Sequence, residues 1–280
     1  MIENLSEEKL KDLKEKANQI RQLVIESLTE AGSGHSAGSL GMADIFTSLY
    51  FYILNQDPKN PQMPDRDRLV LSNGHICPVQ YVALALSGYF PVEELKTLRK
   101  INSRLQGHPH RTSLPGIETT SGPLGEGLSQ AIGMALAAKL DNQNYRIFCL
   151  TSDGEHNEGN HWEAVMFAAK NKLSNIIQVI DRNNIQISGM TEDIMPLEPL
   201  AQKYKSFNWE VFEVDGNDIK AFIETVEKAK QVLDKPKVII AHTVPGKGVS
   251  FMENNYLWHG KAPSKEEAEK ALGELKKQSL

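Results

Sequence analysis

The chain has 280 residues, 40% hydrophobic and 24% charged, with a formal net charge of −5. That is ordinary for a globular protein with enough core for one large α/β domain or two small ones, and the acidic balance argues against a nucleic-acid surface. No apolar segment follows "MIENLSEEKLKDLKEKANQ" and no run of roughly eighteen apolar residues occurs, so neither secretion nor membrane spanning is expected and the cytoplasm is the default.

From residue 5 to about residue 30 the chain reads as a helix, with Leu10, Leu13, Ala17, Ile20, Leu23 and Val24 recurring at three- and four-residue intervals between charges. "AGSGHSAGSLG" is expected to break it, and "MADIFTSLYFYIL" resumes a helical pattern. "RLVLS", "RIFCL", "NIIQVI" and "KVIIAHT" are short apolar runs bounded by turn residues, the pattern of strands buried on both faces. Helical stretches lie between them: "PVQYVALALSGY", "GLSQAIGMALAAKL", "GNHWEAVMFAAKN" and "IKAFIETVEKAKQVL". The tail "SKEEAEKALGELKK" opens on Ser264 as an N-cap and predicts a final surface helix. Cys77 and Cys149 have no metal spacing and read as buried thiols in a reducing compartment. The alternation of strands and helices predicts a single α/β domain over 1–280, a doubly wound, mostly parallel sheet with helices on both faces.

In such sheets ligands sit beyond the carboxyl ends of the strands. Asp153 follows "RIFCL" and Asn183 follows "NIIQVI", separated by about one βαβ unit, so both reach the same sheet edge. With a backbone carbonyl near Ile185 they make an oxygen-only set suited to Mg²⁺ or Ca²⁺. The plainer reading of the pair is a surface Asp-Gly turn and a polar loop. "TSGPLGEGLSQAIGMALAAKL" shifts the balance, because Gly122, Gly125 and Gly127 let the backbone approach a ligand and the following helix offers unpaired N–H groups to an anion. The segment is neither a Walker A loop nor a dinucleotide fingerprint. Beside the Asp/Asn pair it points to a diphosphate held through a divalent ion.

"SDG" followed by "NN" resembles the thiamine diphosphate motif, and with it come "SGHSAGSLGMADI", "RLVLSNGH", "GHP", "PGIETTSGPLGEG" and "LWHG". Together, in this order from about residue 30 to residue 260, they are similar to the N-terminal, diphosphate-binding domain of the transketolase family. Two departures stand out: Ser152 replaces the first glycine of the motif, and "HPHRTS" lacks the usual Glu after His-Pro. The resemblance implies that Asp153, Asn183 and the carbonyl of Ile185 ligate the ion, with Asn184 the alternative one residue on. It implies that Gly154 packs against the diphosphate and that Gly122 and Leu124 lie along the cofactor. Glu158 and Glu163 resemble the family's interface carboxylates, Glu158 being nearest the proton-transfer path, while Glu155 matches nothing and reads as solvated. "PGKG" at 245–248 resembles a loop over the diphosphate, with Lys247 read as a solvated lysine.

A lone histidine is usually a surface or satisfied core residue. His35, His75, His108 and His259, however, sit in glycine-flanked loops and match the histidines that line the transketolase substrate channel. Imidazoles there can assist a developing oxyanion and shuttle protons near neutral pH. His110, His156, His161 and His242 match nothing and are read as surface or core histidines.

The resemblance therefore implies a thiamine diphosphate-dependent transketolase subunit that moves a two-carbon ketol unit between sugar phosphates. The rivals are a deoxyxylulose phosphate synthase-like subunit, opposed by "GHP" and "NEGNHWEA", and a non-catalytic thiamine diphosphate-binding module, opposed by the four channel histidines. A family chain continues into a pyrimidine-binding domain, which carries the activating glutamate and the arginines that grip the substrate phosphate, and then into a third domain. After "LWHGKAPS" only a short charged helix follows. The expectation is a hetero-oligomer, two copies of this chain with two of a separate subunit of about three hundred residues.

Overall fold

Twenty-five residues open the structure as one amphipathic helix, α1 (Glu7–Ala31), which Ser6 caps by accepting the Lys9 N–H and Gly32 ends in the left-handed conformation. The computed structural model describes residues 5–278; residues 1–4 and 279–280, at the ends of the expected 1–280 domain, lie outside the described residues. The glycine-rich stretch after α1 contains a short helix, α2 (Ser36–Gly41), where a break is expected from the sequence. Its residues are fully buried, and that packing overrides the low helix propensity of Gly and Ser. α3 (Ala43–Ser48) follows, ending in a π-turn over Leu49–Ile53.

β1 (Arg68–Leu71), α4 (Cys77–Ser87), α5 (Glu126–Leu140), β2 (Ile147–Ser152), α6 (Gly159–Lys170) and β3 (Ile176–Arg182) come next. A two-residue antiparallel pair, β4 (Ile185–Gln186) with β5 (Gly189–Met190), leads into α7 (Thr191–Ile194) and α8 (Leu200–Ser206). The chain ends with β6 (Glu210–Asp215), α9 (Ile219–Lys230), β7 (Lys237–His242) and α10 (Lys265–Lys277). α10 begins at Ser264 in a capping box with Glu267, as its sequence suggests.

The four apolar runs form β1, β2, β3 and β7, and with β6 they make a five-stranded parallel sheet in the order β1-β2-β3-β7-β6. Leu69, Leu71, Phe148, Leu150, Ile177, Val179 and Ile239 face one layer with α1, α3, α4, α9 and α10. Val70, Ile147, Cys149, Ile176, Ile180, Val238 and Ile240 face the other, with α5, α6 and α8. Burial on both faces is why these strands read as unbroken apolar runs, and each fully buried Leu or Ile contributes on the order of 1.5–3 kcal/mol. β6 is the strand that such runs do not reveal. It lies at the sheet edge with partly exposed side chains, and its acidic residues interrupt the apolar pattern.

The chain lays down β1, β2 and β3 side by side, crosses to the edge as β6, and returns as β7 between β3 and β6. That change of direction opens a crevice beyond the carboxyl ends of β2, β3 and β7. Among the described residues no helix is long and apolar enough to cross a membrane.

Candidate functional site

β2 ends at Ser152, and Asp153 follows it into a tight turn over Gly154–Asn157 before α6 begins. Asp153 is 1% exposed, and its two carboxylate oxygens have different surroundings. Oδ2 accepts the Asn184 N–H at 2.8 Å, the Arg182 guanidinium at 2.9 Å and the Thr191 hydroxyl at 3.2 Å. Oδ1 is buried and has no partner. Burial raises the Asp153 pKa, with the Arg182 charge opposing. Arg182 in turn holds Glu192 at 2.5 Å and Glu198 at 3.0 Å.

Asn183 is oriented from the sheet side. Its amide nitrogen donates to Asp181 Oδ2 at 2.8 Å, and its Oδ1 accepts the Ile185 N–H at 3.0 Å. Asp181 accepts a further hydrogen bond from the Thr243 hydroxyl, just past β7, and burial pushes its carboxyl up to about 7. Asn184, the alternative ligand, adopts a left-handed φ of 63° and gives its backbone N–H to Asp153.

A cavity of about 370 Å³ opens at this edge, lined by His35, His75, His108 and His259 together with Gly122, Leu124, Gly154, Asn183 and Ile185. The structure thus brings nine of the residues singled out in the sequence to one cavity, while Asp153, buried beside Gly154, is not among its lining residues. Three imidazoles form a cluster: the ring centroids of His35 and His75 are 4.9 Å apart, those of His75 and His259 5.2 Å, and those of His35 and His259 5.6 Å. Burial lowers the pKa of all four histidines, His35 to about 4 and His75 well below its ordinary value. At neutral pH each is therefore a neutral ring with one N–H donor and one bare nitrogen acceptor.

Glu158 and Glu163 lie outside the cavity and are exposed. Glu158 packs beside Gly125, where an added Cβ would come within 2.7 Å of the Glu158 Cβ. Lys247 is half-buried and does not line the cavity.

Glu155 corrects the expectation of a solvated carboxylate: it is 0% exposed. Its Oε2 accepts the Ser72 hydroxyl at 2.9 Å and the Gly125 N–H at 3.3 Å, tying the end of β1 and the glycine loop to the turn after β2. Burial pushes its carboxyl up to about 7. In a run of acidic turn residues composition does not tell which carboxylate faces inward; here the turn after Asp153 rotates Glu155 toward Ser72. At Gly127 the contact is closer still, since an added Cβ would lie 2.4 Å from the Ser72 Cβ.

Of the unassigned histidines, His110 and His242 are exposed, while His156 and His161 are core residues with a shared partner. The Nε2 atoms of His156 and His161 lie 2.9 and 2.8 Å from the Tyr204 hydroxyl, and His156 Nδ1 donates to the Ser152 carbonyl at 2.9 Å.

Residues 13–277 match the family described as transketolase, thiamine diphosphate binding domain. The chain is 42% identical to a 6-deoxy-6-sulfo-D-fructose transketolase subunit of Clostridium sp. (strain MSTE9), over 98% of this chain and 99% of that protein. It is also 42% identical to an apulose-4-phosphate transketolase subunit of Actinobacillus succinogenes, over 95% and 96% of the two chains. Among solved structures, transketolase from Campylobacter jejuni superposes with a TM-score of 0.88 at 35% identity, covering 95% of this chain and 42% of that one. Transketolase from Leishmania mexicana does so with a TM-score of 0.89 at 31% identity, covering 95% and 41%. The chain therefore spans about two-fifths of the length of these solved transketolases.

Proposed function

The chain belongs to the transketolase thiamine diphosphate-binding domain family, and from that premise we propose that it is the diphosphate- and metal-holding subunit of a two-chain transketolase. The observation that carries this reading is the convergence of four neutral imidazoles with Gly154, Asn183 and Ile185 on one cavity at the sheet's carboxyl edge.

The residues present fit the cofactor and its ion. Asp153 Oδ1, buried and unpartnered, supplies an anionic oxygen, and Asn183 Oδ1 and the Ile185 carbonyl supply neutral ones. Such hard donors suit Mg²⁺, with Ca²⁺ able to substitute. Gly154 lines the cavity beside Gln186 where the diphosphate would lie, and Gly122 and Leu124 line it further along. Thiamine diphosphate, when bound, supplies the nucleophilic carbon that takes up and releases the two-carbon unit. The neutral rings of His35, His75, His108 and His259 would offer N–H hydrogen bonds to a sugar oxygen as its carbonyl opens, and their bare nitrogens could accept the hydroxyl proton as a carbonyl re-forms.

The partner is a separate chain carrying the pyrimidine-binding domain. Two relatives that match this chain along nearly their whole length bear the word subunit in their names, which supports the assignment. Exposed Glu163, Met166 and Phe167 share one face of α6 next to exposed Glu158, and this face is where the partner docks, in a two-plus-two assembly. The substrates are sugars bearing an anionic group, the class to which the named substrates of those two relatives belong. Two free, buried cysteines suit a cytoplasmic setting.

The test is ketol transfer by the chain assembled with its partner. Activity should require thiamine diphosphate and a divalent ion, and Asp153→Ala should abolish metal-dependent cofactor binding while the fold persists, because Arg182 keeps Glu192 and Glu198. An assembly that transfers ketol units after complete chelation of divalent ions contradicts the assignment.

A further inference from the structure

A second cavity, of about 730 Å³, opens at the opposite edge of the sheet from the histidines, between the segments that lead into β2, β3 and β7. Lys139, Arg146, Lys172 and Lys230 line it, and among the described residues Asp234 is the one carboxylate in its wall. In a chain of net charge −5 such a gathering of cations is local. The fold accounts for two of them. Lys139 Nζ donates to the Asn171 carbonyl at 2.8 Å, just past α6, and Lys230 pairs with Glu227 at 2.6 Å in the last turn of α9. Arg146 and Lys172 have no such account: among the described residues neither has a carboxylate within ion-pair distance. Lys237, at the start of β7, adds a charge that is 2% exposed. Its ammonium donates to neutral carbonyls, that of Ser174, which is part of the cavity wall, and that of Val232 at 3.3 Å. Burial and the Arg146 charge lower its pKa to about 8, with Asp234 opposing. Like charges crowded around a hollow, one of them buried without a paired counter-charge, are costly until an anion joins them.

We propose that this cavity is a binding site for a polyphosphate group, the linear phosphate chain that occurs free or on a nucleoside triphosphate. Arg146 presents a planar fork of donors to phosphate oxygens and Lys172 a flexible point charge, while the amides of Asn142 and Asn144 in the same wall add neutral donors. The volume and the spread of the cations suit several phosphates rather than one. Leu233, 79% exposed in the same wall, offers an apolar surface to an organic group carried by the chain. The site is separate from the cofactor cavity and does not rest on the proposed function. Arg146 and Asp153 flank β2 at its two ends, roughly 20 Å apart along an extended strand.

Calorimetric titration of the whole chain with tripolyphosphate tests the assignment, with EDTA present so that no divalent ion bridges phosphate to Asp153. Wild type should bind one tripolyphosphate per chain, and the double variant Arg146→Gln, Lys172→Gln should weaken binding about tenfold or more. Lys14→Gln, which removes an exposed cation on α1 outside the cavity, should stay within about twofold of wild type. On the wild-type chain, tripolyphosphate should shift the backbone amide resonances of residues 142–146 and 172–175 where chloride at equal ionic strength does not, a readout that needs no variant to fold. Adenosine triphosphate distinguishes the two sources, and either result upholds the site. Binding tighter than that of tripolyphosphate, with the advantage lost in Leu233→Ser, assigns a nucleotide, and binding no tighter assigns the bare chain. Absence of binding, unmoved resonances in those loops, an unchanged affinity in the double variant or an equal loss in Lys14→Gln overturns it.

Discussion

Arg182 holds Asp153 by one oxygen only: its Nη1 lies 2.9 Å from Oδ2, and Oδ1 is left buried without a partner. The Asn184 N–H and the Thr191 hydroxyl bond to the same Oδ2, so three donors on one oxygen fix the carboxylate and leave the other without a partner. Glu192 and Glu198 share the guanidinium, which keeps it from neutralising Asp153 alone. Partners of this sort set the orientation and basicity of a metal ligand.

Arg182→Met should therefore raise the divalent-ion concentration needed for half-maximal cofactor binding by about 10- to 100-fold. Turnover at saturating metal should stay close to wild type, because no reacting atom touches Arg182. Arg182→Lys should fall between the two. Metal titration of cofactor binding in the complete assembly measures this directly, and an unchanged half-saturation point would show that Asp153 needs no such support.

His108→Ala and His259→Ala should reduce turnover far more than cofactor binding. Proton transfer or oxyanion assistance from one positioned side chain is typically worth roughly a hundred- to ten-thousandfold. Steady-state kinetics with a separate measurement of thiamine diphosphate affinity distinguishes the two effects. Turnover within about twofold of wild type would leave these rings as scaffolding.

The buried His156 makes stability depend on pH. Burial pushes its pKa down to about 4 from an ordinary 6.5, so the folded chain keeps it neutral where the unfolded chain protonates it. Between those values the unfolded state binds more protons, and its contribution is lost as pH falls from about 6.5 towards 4, on the order of 3 kcal/mol at full extent. His161, also depressed by burial, adds to the same slope. Denaturant unfolding at pH 7 and pH 5 should show the loss, and His156→Gln should remove a large part of the difference. Equal slopes in the two proteins would show that other groups set it.

What was readable in advance depended on whether the answer lay along the chain or across it. Asp153 and Asn183 end two strands of one βαβ unit, so the apolar runs before them announce both their position and their common edge. His35, His75, His108 and His259 were legible through glycine-flanked motifs that repeat a family order. Glu155 and Arg182 were not, because a charged side chain in a turn gives no sign of whether it faces water or a partner. Arg182 meets Asp153 across neighbouring strands, and Glu155 meets Ser72 from the end of β1. β6 was hidden for a related reason: as an edge strand it carries Glu210, Glu213 and Asp215, and no apolar run marks it.

We propose that this chain holds one end of a shared cofactor and needs a second chain for catalysis. Ketol transfer from a ketose phosphate to an aldose phosphate, with thiamine diphosphate and Mg²⁺ present, should be measured for the purified chain alone and after adding the partner subunit. Little or no transfer alone, restored to full rate near one partner per chain, is the outcome expected. Full transfer by this chain with no other polypeptide present would contradict it.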